Sequence, residues 1–242
     1  MRLVLLHARA LTLELVRYPA YVVPTLVLPA AFFVFFVAPR GRGDETVAMA
    51  TFAGFAAIGV AFFQFGVGIA VERASPWEAY LRTLPVGLGT RLGARVVSAA
   101  VFAAAAAATL VAVALATTDV ALPPARWAEL ALILLVGTAP FALLGIALGY
   151  WAPQRGALPI ANLLYLGLSY AGGLWISPRD LPSAVAGLSP YLPTRSLSDA
   201  LTATVAGHPF VPGACLRLAG FAAIFAGLAA WGYRRDEGRR FR

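Results

Sequence analysis

Residues 47–97 read VAMATFAGFAAIGVAFFQFGVGIAVERASPWEAYLRTLPVGLGTRLGARVV. Val47 to Val71 contain no ionised group. The 27 residues from Val71 to Val97 then carry two Glu, four Arg, a Trp, a Tyr and two Pro. An apolar run of about 20 residues is long enough to cross a bilayer as a helix. Such a run breaking into a charged, proline-punctuated loop is the pattern of a membrane span followed by a loop in water.

The rest of the chain repeats the pattern. Of 242 residues, 60% are hydrophobic and only 12% charged, with mean hydropathy +0.79; soluble domains carry about 25% charged residues. Apolar runs mark six spans, at 19–38, 47–71, 96–118, 128–151, 158–176 and 214–233. Pro24, Pro29 and Pro140 are tolerable inside them, because neighbouring helices and side chains re-satisfy the freed carbonyls. The expected fold is therefore an all-α polytopic membrane protein. It forms one domain, 1–242, with no separate soluble unit.

Arginine sets the orientation. The chain has no Lys, so all 19 basic residues are Arg. With six spans, both termini share a side with loops 72–95 and 152–157. That side holds 13 Arg against five acids, a net +8; the other holds six Arg against six acids. Basic residues near span ends are retained in the cytoplasm, so both termini are expected there, with the chain in the cell membrane. Topogenic arginine accounts for the whole positive excess, and no nucleic-acid partner is implied. Residues 2–17 contain His7, Arg9 and Glu14, which interrupt a signal-peptide core. Residues 1–18 read instead as an interfacial helix. Cys215 is the only cysteine, so no intrachain disulfide is expected.

Within the charged loop, Ser75-Pro76-Trp77-Glu78 has the form of a helix start: a capping hydroxyl, Pro at the first helical position, and a carboxylate placed to reach back. Pro85 disfavours helix at Leu84 and closes the segment after about two turns. Trp77, Tyr80 or Leu81, and Leu84 share one face, and Glu78 and Arg82 pair on another. The apolar face meets either lipid headgroups or a protein.

The Glu-Arg pair leaving span two, followed by Trp-Glu-x-x-Leu-Arg-x-x-Pro-Val, resembles the cytoplasmic segment of type-2 ATP-binding-cassette (ABC) export permeases. The matching positions are Glu72, Arg73, Trp77, Leu81, Leu84, Pro85 and Val86; the departure is Ser75-Pro76, where that family often has Gly. The resemblance extends over the whole chain, with an interfacial N-terminal helix, six spans and a long external segment before the last. It implies a transmembrane subunit that pairs with a second permease half, as homo- or heterodimer, and with two cytosolic ATPase subunits. Loop 72–95 would be the coupling segment. In it Trp77, Leu81 and Leu84 would be apolar anchors, and Glu72, Arg73, Glu78 and Arg82 would fix register. Segment 177–213, with a short helix expected over 194–201, would be an external, partly re-entrant helical hairpin.

The composition agrees with that division of labour. A phosphate-binding P-loop needs a lysine, and the chain has none. ATP and Mg would belong to the partner ATPase, and no cofactor, metal site or catalytic residue is expected here. Ionisable groups are nearly absent from the spans, with Glu129 and Arg217 at their mouths. Gln64, Asn162, Ser169 and Tyr170 are the polar candidates for a substrate path, and each could equally be a helix–helix hydrogen bond. Phe32, Phe33, Phe35, Phe36, Phe62, Phe63 and Phe65 would suit an amphipathic substrate or face lipid. A secondary transporter and a non-transporting scaffold remain as alternatives.

Overall fold

The computed structural model describes residues 1–37, 45–76, 87–208 and 212–240. Those residues form helices and turns with no strand among them. In order they are α1 (Arg2–Val16), α2 (Pro19–Phe36), α3 (Glu45–Ala61), a π-helical segment (Phe62–Val67) and α4 (Gly68–Ala74). Next come α5 (Leu88–Thr117), α6 (Pro124–Gly137), α7 (Ala139–Trp151), α8 (Gln154–Ala171), α9 (Ser183–Leu188), α10 (Pro193–Val205) and α11 (Pro212–Arg240).

Among the described residues, five stretches are long and apolar enough to cross a membrane: Pro19–Phe36, Glu45–Ala74, Gly89–Thr117, Pro124–Trp151 and Pro212–Glu237. Leu132, Leu135, Val136, Leu163, Leu216 and Ile224 are exposed on the outside of the bundle. An outer surface of this kind suits a lipid solvent, where burial of apolar groups is not what joins helices. The expected span at 158–176 differs from the rest. Its helix, α8, begins earlier at Gln154 and ends at Ala171. Gln154, Arg155 and Asn162 lower its hydropathy, so length and composition alone do not single it out.

α3 is the hub. Every residue from Met49 to Ala61 is buried, because α2, α5, α7, α8 and α10 all pack on this helix or its π continuation. Small residues allow that crowding. On α7, Gly145-Ile146-Ala147-Leu148-Gly149 places glycines one turn apart. A Cβ at Gly145 would lie 2.8 Å from the Ala61 carbonyl, and one at Gly149 2.7 Å from Ile69 Cβ. Close backbone approach through small-xxx-small spacing is a membrane-helix packing device. On the α5 side, α1 seats Ala8 as a buried residue and brings Val4 against Gly93.

α8 ends in a Schellman turn. The Leu174 amide bonds to the Ser169 carbonyl at 3.0 Å and the Gly173 amide to the Tyr170 carbonyl at 3.1 Å, with Gly173 at φ +79°. α10 then packs under this turn rather than on the surface. Thr194 Oγ1 donates to the Leu168 carbonyl at 2.6 Å and Ser198 Oγ to the Gly173 carbonyl at 3.0 Å. Thr194, Ser196, Leu197, Ser198 and Leu201 are all buried. Residues 194–201 thus lie inside a longer helix.

Candidate functional site

The π-helical segment organises the site. A π turn widens the helix and frees carbonyls from the regular ladder, and such turns recur at functional positions. Here the Gln64 carbonyl accepts a bond from Arg95 Nη1 at 2.5 Å. Arg95 stands on α5 with 9% of its surface exposed, and its other terminal nitrogen pairs with the Glu72 carboxylate at the end of α4. One guanidinium therefore joins three things: α4, which precedes residues 77–86, α5, which follows them, and the π segment.

Beside this junction a groove of about 660 Å³ opens between α1, α2, the α3–π–α4 column and α8. Leu28, Pro29, Ala56, Val60 and Phe63 make apolar wall; Glu14, Gln64, Glu72, Arg95 and Asn162 make the polar part. The Gln64 amide nitrogen donates to Tyr21 Oη at 3.0 Å. Its Oε1 is buried and has no hydrogen-bond partner among the described residues. On the opposite wall Tyr165 stacks on Phe55, with centroids 4.5 Å apart, and donates to the Phe55 carbonyl at 3.2 Å.

A second clasp lies at the same end. Arg73 pairs with Asp236 of α11 at 2.5 Å, donates to the Ala152 carbonyl at 3.2 Å, and sits 5.7 Å from the Tyr150 ring centroid. Glu72 and Arg73, expected in an ATPase-docking set, thus both make ion pairs within the chain. Ser75, with extended backbone, ends α4 as its C-cap. Trp77, Glu78, Leu81, Arg82, Leu84 and Pro85 lie outside the described residues.

Of the four polar path candidates, the fold brings Gln64 and Asn162 together in the groove. Ser169 is fully buried at the end of α8, and Tyr170 packs near Trp175, centroids 6.3 Å apart; neither lines the groove. The phenylalanines divide as well. Phe63 is groove wall, Phe33, Phe62 and Phe65 are buried in helix packing, and Phe35 is 75% exposed. Tyr21 and the bridging role of Arg95 escaped the reading from sequence. Arg95 was counted among topogenic loop arginines, whereas α5 begins at Leu88 and carries it into the bundle. The available signal was Glu72, an opposite charge at the mouth of the neighbouring span.

Compared with known proteins, the chain is similar to the "Putative transport permease YvfS" of Bacillus subtilis (strain 168). The two are 24% identical over 230 residues, covering 93% of this chain and 94% of that protein. No family model matches, and no solved structure matches. The likeness runs along nearly the whole of both chains.

Proposed function

We propose that this multi-pass membrane chain is the transmembrane subunit of an ATP-driven exporter. Separate cytosolic ATPase subunits dock on loop 72–95, and a second permease half completes the translocation path. In this reading α8 is the fifth of six spans, both termini are cytoplasmic, α1 rests at the interface, and segment 177–213 with α10 forms the external, re-entrant part. Trp77, Leu81 and Leu84 anchor in the ATPase.

The observation that carries this reading is the Arg95 junction. The guanidinium ties the loop's near stem, through Glu72, to the Gln64 carbonyl in the groove wall. Movement of the loop by an ATPase then shifts the π segment and with it the groove. Such coupling needs a physical link with two arrangements; a π turn, poorer in regular hydrogen bonds than the helices on either side, is where a helix adjusts at low cost. The chain supplies no ATP chemistry of its own, since it has no lysine for a P-loop.

The test is co-purification of the chain with its candidate ATPase, wild type beside the Trp77→Ala/Leu81→Ala double variant, with membrane insertion of both verified. The expected outcome is capture by the wild type and loss of capture, by at least tenfold, in the inserted double variant. Equal capture by both, or none by either, would overturn the proposal in favour of a secondary transporter or a scaffold.

A further inference from the structure

We infer that the groove beside Gln64 binds a single-chain cationic amphiphile, its tail along Leu28, Pro29, Val60 and Phe63 and its ammonium at Gln64 Oε1. The inference rests on reading the groove as part of the permease path and names the ligand class that path accepts. Three observations lead to it. The first is shape: a groove of about 660 Å³, apolar along α2 and α3 and polar where α1, α4 and α5 converge. The second is the unpartnered Gln64 Oε1. Gln64 is 4% exposed, its nitrogen is used on Tyr21, and its carbonyl is used by Arg95. Oε1 is left as an acceptor with no partner among the described residues, costly to leave unpaired and open to a donor arriving from the groove.

The third is charge. The polar lining holds two carboxylates, Glu14 and Glu72, and one guanidinium, Arg95, a net −1. Arg95 is already engaged with Glu72 and the Gln64 carbonyl, so it offers little to an anionic headgroup. Glu14 is exposed at the rim and makes no ion pair among the described residues. A primary ammonium meets all three conditions: it donates to Gln64 Oε1, it neutralises the excess carboxylate, and its alkyl chain covers the apolar wall. A carboxylate headgroup fails the first two, because it accepts rather than donates and adds to the negative charge.

The experiment uses the full chain in phosphatidylcholine nanodiscs and a dodecylamine bearing a photoreactive diazirine at its tail. Saturable labelling on α2 and the π segment is expected. Unlabelled dodecylamine should compete at least tenfold better than dodecanoate, and Gln64→Leu should weaken the amine by about tenfold. Gln64→Glu, which keeps the acceptor and the shape, should retain binding, and so guards against a Gln64→Leu chain that fails to fold. Equal competition by dodecanoate, or undiminished binding by a folded Gln64→Leu chain, would overturn the inference. So would Val23→Cys in a Cys215→Ser background cross-linking two copies while the amine labels nothing, since a second copy would then fill the groove. No ATPase is needed, so the outcome is separable from the co-purification: captured ATPase without amine binding would sink the ligand class alone.

Discussion

At the loop-stem end of the bundle, arginine joins helices that are distant in sequence. Arg73 on α4 meets Asp236 on α11, with side chains 18% and 12% exposed, and Arg95 on α5 meets Glu72 on α4. At the opposite end, Arg195 pairs with Asp199 one turn along α10, and Arg217 reaches the same carboxylate at 3.5 Å with 47% of its side chain exposed. Arg217 also donates to Ser196 Oγ at 3.0 Å, and the remaining ties there are made by hydroxyls and close backbone contact: Thr194 on Leu168, Ser198 on Gly173, and Gly172 pressed against Thr194. The contrast is between an end tied by ion pairs between helices and one tied chiefly by hydroxyls and a close glycine contact. An ion pair between helices keeps much of its attraction over a displacement of an ångström or so, because Coulomb energy falls only as the inverse of distance. A glycine contact at van der Waals distance has no such tolerance.

Substitutions can break that comparison, and the steric end should suffer first. Gly172→Val places a Cβ inside the van der Waals radius of Thr194 Oγ1 and 2.8 Å from its carbonyl carbon. Overpacking at backbone costs about 3 kcal/mol or more, so the purified variant should lose its thermal transition in detergent or refuse to accumulate. A variant with wild-type melting would show that the α8–α10 contact is not locked.

Next in size is Arg95→Met. Removing one partner of a buried pair costs about 3–5 kcal/mol; Glu72 is 44% exposed and can rehydrate, so about 2 kcal/mol is expected by denaturant titration. Adding Glu72→Gln to Arg95→Met should cost little more, because the pair acts as a unit. Full additivity would separate Arg95 from Glu72 and leave the loop stem without its tie.

The smallest effect belongs to Arg195→Ala. Exposed pairs one turn apart contribute about 0.3–0.5 kcal/mol, so melting should barely move. A loss as large as that of Arg95→Met would erase the distinction between the two ends.

Much of this protein was legible without coordinates. Long uncharged runs cross a membrane because no water is present there to satisfy a backbone, so hydropathy alone locates Pro19–Phe36, Glu45–Ala74, Gly89–Thr117, Pro124–Trp151 and Pro212–Glu237. α8 was less legible, because Gln154, Arg155 and Asn162 dilute its apolar signal while tertiary contacts with α3 hold it in place. Gln64 and Asn162 could be named as polar residues in apolar surroundings, but nothing in their spacing distinguished them from Ser169 and Tyr170, which the fold sends elsewhere.

By itself, then, the sequence determined membrane residence, helical class, the punctuated loop after the second span and the absence of a P-loop lysine, since each follows from local composition. The tertiary structure alone decided that Arg95 reaches both Glu72 and the Gln64 carbonyl, that the chain widens into a π turn there, and that Tyr21 occupies one side of the Gln64 amide while the other stays open. Those facts depend on which helices come together, and helix pairing is set by matching small residues and hydrogen bonds across long separations, where no local pattern in the chain records the partner.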